Sequence, residues 1–567
     1  MTNTQYAEIN ERIEALSRDG VDVLILGAGV NGAGLFRDLC EQGLDCLIVD
    51  KGDFSSGTSA APSRLIHGGI KYLETGEFRL VAQSTLERNL LLRNAPHLVD
   101  PLPTIIPIFS WIKGIPAALR TLLGSTTAPR SRGAALVKIG MSIYDFYGSK
   151  ARVMPRHRFF SRASALREMP GLTPSIVGAG LYYDARIHAP ERLVLELAKD
   201  GMAANPKAAA LNSTELVEAR DGLVTFRRHD GSSFSVRPKL VVNAAGPWID
   251  RVNGLLGEET RLIGGTKGSH ILLKHDELIR RLNGRMIYFE ADDGRICLVF
   301  DYLGRALVGS TDIPARDPDN VRCEDDEIEY FLASLRSLLP GLEFDRSQIV
   351  YTYAGIRPLP ASDASNPGLI SRDHSAPLLE PRQGRPFPVI SLVGGKWTTF
   401  RGFAEEVADT VLARFGITRR RSTRELPIGG GHGYPAEAAA RRFWVDRVSE
   451  LTGADRERVE ELLARYGTTA EAILGEDSGF SDKDRLTDAP DYSLAELAWI
   501  ARHELVVHLA DLVLRRTTMA IRGVLTARDL HRIAELVADV LQWNEARREE
   551  ELRQTLTILE RDHGLRF

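Results

Sequence analysis

The stretch VDVLILGAGVNGAG at residues 21–34 narrows the possible folds of this chain more than any other feature. A short run rich in valine, leucine and isoleucine reads as a buried parallel strand, and Gly27 stands where such a strand must turn sharply. Gly29 lets the backbone approach a diphosphate, and Gly32 lets the following helix lie close to the strand. The start of that helix offers N–H groups and the positive end of its dipole to an anion. A second apolar run, Cys46–Val49, ends at Asp50, where a carboxylate can accept hydrogen bonds from ribose hydroxyls. A lone glycine pattern often marks a plain turn. Strand, helix, second strand and terminal acid in this order predict a dinucleotide site in an α/β unit, without separating one dinucleotide from another.

Two further segments favour FAD. After Asp50 the chain runs KGDFSSGTSAAPSRLIHGGIKYL, a long stretch of small and hydroxyl residues carrying His67, Lys71 and Tyr72, suited to lying along a bulky cofactor. Near residue 389 the run VISLVGGKWTTFR breaks a buried strand into Gly394-Gly395 and a helix start with Thr398 and Thr399. Such a turn can aim N–H donors at the electron-rich edge of a flavin. Between them, LVVNAAGPW at 240–248 ends a strand on residues small enough to pass beside the cofactor.

Composition excludes several other classes. With 567 residues the chain is long enough for two to four domains. Its net charge of -4 argues against a general nucleic-acid binder. Cys40, Cys46, Cys297 and Cys323 form no C-x-x-C pair, so no metal site is expected and reduced thiols in the cytoplasm are the simple inference. The polar N-terminus does not read as a signal peptide, and no apolar run is long enough to span a bilayer.

The motifs LGAGVNGAG, SRLIHGGIKYLETGEFRLV, VVNAAGPW, KGSHILL, GSTD, YTYAGIRPLP and LVGGKWTTFR stand in one order across the chain. Together with the C-terminal LAELAWIARHELVVHLADLVLRRTTMA, they resemble the FAD-dependent, quinone-linked glycerol-3-phosphate dehydrogenases. That resemblance implies an α/β fold with three parts. These are an FAD-binding Rossmann-type domain of the glutathione-reductase and D-amino-acid-oxidase kind, an antiparallel-sheet substrate domain, and a C-terminal helical domain. It places the oxidoreductase region at 1–425, with FAD-binding pieces near 15–75, 170–255 and 345–425 and substrate-binding pieces near 76–169 and 256–344. The helical domain follows at 426–567, opening on LPIGGGHGYP, which reads as a linker with the helices beyond it.

The same resemblance implies FAD contacts from Gly27, Ala28, Gly29, Asn31, Gly32, Asp50, Lys51, Thr58, Ser59, Ser63 and Leu65. It adds His67, Gly68, Gly69, Val217, Ala245, Gly246, Trp248, Gly395, Lys396, Thr398 and Thr399. It implies oxidation of glycerol 3-phosphate at C2, by hydride transfer to the flavin, with electrons passed to a membrane quinone. The phosphate calls for cations: Arg357, whose guanidinium matches phosphate oxygens in pairs, then Lys396, Lys71 and Tyr72. The family pattern has arginine where Lys71 stands; lysine keeps the charge but loses the paired donors. Thr311 is a pocket residue or a strand-end cap, and Trp248 and Trp397 flank the flavin or simply pack. His67 and His270 are candidates for taking the hydroxyl proton, and either can equally be a packed core histidine.

From Pro101 to Tyr144 there is no acidic residue, and residues 105–138 mix apolar side chains with lysines and arginines. This segment predicts peripheral contact with the inner face of the cell membrane, or a basic loop drawing an anionic substrate inward. The charged run Asn544–Arg553 predicts a solvated helix face or a contact in a homodimer. Alternative functions are an oxygen-using oxidase, an enzyme for another polyol phosphate or an amine, and a flavin-binding tRNA-modification factor. The acidic net charge speaks against the last of these.

Overall fold

The computed structural model describes residues 4–70, 77–111, 140–142, 144, 154–291, 293–315, 317–362 and 373–567. The strand Val21–Leu26 lies inside a six-stranded sheet, between Pro238–Asn243 and Cys46–Val49, and runs parallel to both. Outward from these lie Val389–Ser391 and then Leu378–Leu379 on one side, and Ala209–Leu211 on the other. Val23, Leu24 and Ile25 are fully buried, as a parallel strand covered on both faces requires. The helices Val30–Glu41, Pro190–Ala204 and Phe400–Phe415 pack together beside the sheet, and Gly34 and Gly201 leave no room for a side chain against Phe400 and Phe36. The turns that follow Leu26, Val49, Asn243 and Ser391 all leave the carboxyl ends of parallel strands, where open α/β sheets bind their ligands.

A second, ten-stranded sheet stands beside this unit and is mixed rather than purely antiparallel. Val99–Ile108 pairs antiparallel with Gly178–Ile187 but parallel with Met286–Glu290. Its longest pairing joins Ile263–Leu273 to Ile349–Pro360. Two strands drawn within the FAD-binding pieces at 170–255 and 345–425, Gly178–Ile187 and Ile349–Pro360, lie in this second sheet, although residues 354–359 of the later one also reach the cavity described below. Periodicity marks a buried strand without saying which sheet buries it.

The C-terminal region is helical, with Ala438–Thr452, Arg456–Tyr466, Leu494–His503, Ala527–Leu541 and Glu545–His563 around one core containing Tyr466, Leu497, Leu512 and Ile533. The stretch read as a linker is packed instead. Gly430 and Gly431 have no space for a side chain beside the carbonyl oxygens of Tyr466 and Asn94, and Leu426 and Ile428 are buried.

The segment proposed for membrane contact divides. Ile105, Ile106 and Ile108 are buried in the second sheet, so these apolar residues find their partner within the protein. Phe109 and Trp111 are exposed, and residues 112–138 lie outside the described residues. Among the described residues no helix is long and apolar enough to cross a membrane.

Candidate functional site

The turns at the carboxyl ends of the parallel strands and the facing edge of the second sheet enclose a cavity of about 750 Å³. Gly27 adopts a φ of +107°, and a Cβ there would sit 2.6 Å from the Ala244 carbonyl oxygen. A Cβ on Gly32 would fall 2.0 Å from the Gly27 carbonyl oxygen. Both positions therefore demand glycine, and the helix Val30–Glu41 begins beside the cavity with Gly29, which has no side chain, at its N-cap. Asp50 Oδ2 accepts the Ala28 N–H at 2.7 Å and Oδ1 accepts that of Gly52 at 2.9 Å. Burial pushes the Asp50 carboxyl up to about 6, against the pull of those two donors. Ser59 Oγ accepts the Val30 N–H at 3.0 Å, and Thr58 donates to the Ile356 carbonyl, closing the loop onto the second sheet.

Three features fit FAD at this place. The side-chain-free cradle at Gly27 and Gly32 admits a close diphosphate. Asn31 Oδ1 is buried at the cavity without a hydrogen-bond partner. The volume lies in the upper part of the range for cofactor pockets.

Most of the sequence-named residues meet here. Gly27, Gly29, Asn31, Asp50, Lys51, Thr58, Ser59, Ser63, Leu65 and His67 line the cavity, and so do Ala245, Gly246, Trp248, His270, Arg357, Gly395, Lys396, Trp397 and Thr398. Ala28, Gly32 and Thr399 stand just behind it as backbone supports. Gly68 and Gly69 are also behind, where the Gly68 N–H donates to Asp184 Oδ1 at 3.1 Å and to the Tyr144 hydroxyl at 2.8 Å. Arg88 binds both of those acceptors, so a fully buried cluster fixes the loop that carries His67.

Some placements differ from expectation. Val217 is exposed and does not line the cavity; its neighbour Leu216 does, because successive strand residues face opposite ways. Thr311 is buried and its hydroxyl donates to Glu327 at 2.6 Å, so it holds the fold rather than facing a ligand. Lys71 and Tyr72 lie outside the described residues.

At the substrate end, Arg357 donates to Asp312 and to the Thr311 carbonyl, each at 3.1 Å, and to Ser310 at 3.0 Å. These contacts fix the guanidinium at the cavity wall. A Cβ on Gly268 would overlap it. Lys396 is buried and donates to Ser84 at 3.1 Å. His270 is hydrogen-bonded through Nε2 to Ser63 at 2.8 Å and stacked on Tyr353 with ring centres 4.7 Å apart. Burial, and then the charges of Arg357 and Arg64, hold its pKa well below the ordinary value, so the ring stays neutral.

Sequence reasoning missed the strap at Pro318, Asp319 and Val321, which follows the second-sheet strand Ile313–Pro314 and lines the cavity. Asp319 accepts from Trp248 Nε1 at 2.7 Å and from Arg251, and pairs with Lys51 at 3.3 Å. Partial burial raises its pKa, but those bonds and the lysine charge outweigh burial and hold the carboxyl at about 2. Nothing local in the sequence joins position 319 to positions 51 and 248.

Residues 22–410 match the family described as FAD dependent oxidoreductase, and residues 421–548 match the C-terminal domain of alpha-glycerophosphate oxidase. The glycerol-3-phosphate dehydrogenase of Synechocystis sp. is 33% identical over 531 residues, covering 88% of this chain and 89% of that protein. Glycerol-3-phosphate dehydrogenase 2 of Mycobacterium tuberculosis is 31% identical, covering 94% of this chain and 86% of its own length. Among solved structures, the glycerol-3-phosphate dehydrogenase from Bacillus halodurans complexed with FAD superposes with a TM-score of 0.73 at 23% identity, covering 97% of each chain. The L-alpha-glycerophosphate oxidase from Mycoplasma pneumoniae with FAD bound gives 0.51 at 18% identity over 72% of this chain and 98% of its own. Both structural likenesses establish the fold.

Proposed function

We propose that this chain, which belongs to the FAD-dependent glycerol-3-phosphate dehydrogenases, oxidises sn-glycerol 3-phosphate to dihydroxyacetone phosphate and passes the electrons to a membrane quinone. The observation that carries the substrate reading is Arg357, fixed by Asp312 and Ser310 at the wall of the same cavity that the FAD cradle opens into.

When bound, FAD supplies the two-electron acceptor that these side chains lack. Arg357 and Lys396 bring two cations to the cavity, and a guanidinium matches a phosphate with paired donors. Held by its phosphate, a three-carbon substrate has one orientation, which turns a chance encounter into a positioned reaction. The C2 hydroxyl proton needs an acceptor. His270 is a poor one, because a ring whose pKa lies far below neutrality binds a proton weakly. His67 therefore takes the role of base, on a loop fixed by Asp184, Tyr144 and Thr398, while neutral His270 shapes the pocket.

The acceptor is tested with the purified protein and glycerol 3-phosphate in air, with and without a soluble quinone analogue. Quinone reduction should match substrate oxidation, with hydrogen peroxide a small minority of the electrons. Stoichiometric peroxide and no quinone reduction would make the protein an oxidase.

A further inference from the structure

The loop Asp50–Ala61 has two faces, and only one of them belongs to the cavity. Asp50, Gly52, Ser55 and Ser56 line the cavity, whereas Asp53 points the other way and is fully buried against the C-terminal domain. Arg516 grips its carboxylate with two parallel bonds, Nη1 to Oδ2 at 2.8 Å and Nη2 to Oδ1 at 2.7 Å. Arg515 Nε adds a bond of 2.5 Å to Oδ2, and its other end is held by Asp511 at 2.7 Å. Asn212 donates both to Asp53, at 2.8 Å, and to the Leu505 carbonyl of the C-terminal domain, at 2.9 Å. Behind these, Glu504 takes Arg192 of the helix Pro190–Ala204 in a second two-pronged pair, at 2.7 and 2.8 Å. All four of the main charged side chains, Asp53, Arg516, Arg192 and Glu504, are at most 4% exposed.

A short lever connects the two faces. The Ser56 N–H donates to the Asp53 carbonyl at 3.0 Å, and the Ser55 N–H to the Ala28 carbonyl of the glycine turn at 3.0 Å. Ser55 has a φ of +63°, a conformation that a serine keeps only when its surroundings impose it. On the far side of the loop a second cavity of about 120 Å³ separates Ser56, Gly57 and Ala61 from the C-terminal domain. Packing therefore supports this part of the loop incompletely, and Asp53 is the pillar that crosses to the helical domain. Burial would raise the Asp53 pKa, but the charges of Arg516 and Arg515 outweigh it and keep the carboxylate ionised.

We infer that Asp53, Arg515 and Arg516 are positioning residues of the FAD site, so that FAD binding and docking of the C-terminal helical domain strengthen one another. The physical reason is linkage. If docking orders the loop into its FAD-competent shape, then FAD, by ordering the same loop, must favour docking to the same extent. The inference depends on FAD occupying the cavity and not on the identity of the substrate.

The test uses the full chain stripped of FAD and titrated with FAD alone. Arg516→Ala and Asp53→Asn should each raise the FAD dissociation constant about tenfold, with Arg516→Lys in between. Arg458→Ala is the comparison: it breaks a buried ion network in the same helical domain with Asp482 and Glu496, three residues that line neither cavity. It should lower the melting temperature while leaving FAD affinity intact. In the wild-type chain, FAD should slow hydrogen exchange at Leu512–Arg516, which does not line the FAD cavity. Unchanged FAD affinity in Asp53→Asn and Arg516→Ala would overturn the inference. So would equal weakening in Arg458→Ala, or exchange at Leu512–Arg516 indifferent to FAD. If Arg516→Ala does not fold, Asp53→Asn and the exchange measurement decide. A wild-type chain that took up no FAD would instead refute the cofactor assignment itself.

Discussion

Replacing Arg357 by methionine should cut kcat/KM for glycerol 3-phosphate by about a hundred- to a thousandfold, through loss of roughly 3–4 kcal/mol of charge-assisted hydrogen bonding to the phosphate. Methionine keeps much of the volume, so the change removes donors and charge rather than opening a hole. The loss should appear mainly in KM if the phosphate is held equally in ground and transition states, and in kcat as well if it also sets the position of C2. Arg357→Lys should recover only part of the activity, because Asp312 and Ser310 fix the guanidinium in the plane that a paired contact needs. The variant also changes the pH profile. Burial is the larger reason that His270 is neutral, and the Arg357 charge is the next. Without that charge the His270 pKa rises, so any acid limb that His270 imposes should move to higher pH. Steady-state kinetics from pH 5 to 8 on both variants, with FAD saturating, check each part.

Gly32→Ala should abolish FAD binding. The added Cβ would lie 2.0 Å from the Gly27 carbonyl oxygen and 3.2 Å from the Ala244 Cβ, both on the structure that shapes the cradle. Neither neighbour is the far end of a flexible side chain, so the helix must lift from the strand, and the diphosphate cradle goes with it. Overpacking of this kind costs about 1–3 kcal/mol or more in stability alone. Gly254→Ala provides the contrast. It stands in the helix Ile249–Leu255 with nothing within 4 Å of the new Cβ, and should be neutral or stabilising by up to about 1 kcal/mol. Retained flavin after gel filtration, with circular dichroism to confirm folding, separates the two. Full flavin content in Gly32→Ala would remove the cradle from the account.

The parts of this site that the sequence made legible are those built from contiguous residues. Gly27, Gly32 and Asp50 act within one βαβ unit, so their spacing alone carried the geometry. The turn at Gly394–Thr399 likewise combined a strand end and a helix start in one short run. Contacts between distant segments were not legible. Asp53 looks like an ordinary acid in a polar loop, and its partner Arg515 is 462 positions away. Asp319 reads as part of an acidic surface stretch until the fold lays it against Trp248 and Lys51. Thr311 and the run at Ile105–Ile108 show the same limit. Thr311 stands in a motif that suggests a pocket, yet its hydroxyl is taken by Glu327 from the next helix. The apolar run at Ile105–Ile108 suggested a lipid partner because nothing in the local pattern showed the strand at Gly178–Ile187 waiting for it.

The most direct measurement is anaerobic mixing of the FAD-loaded protein with glycerol 3-phosphate, following the oxidised flavin absorbance in a stopped-flow instrument. Full bleaching within the turnover time is expected. Glycerol, which lacks the phosphate that Arg357 and Lys396 would hold, should bleach it far more slowly. Flavin that dithionite reduces but glycerol 3-phosphate leaves yellow, or that glycerol bleaches equally fast, would contradict it.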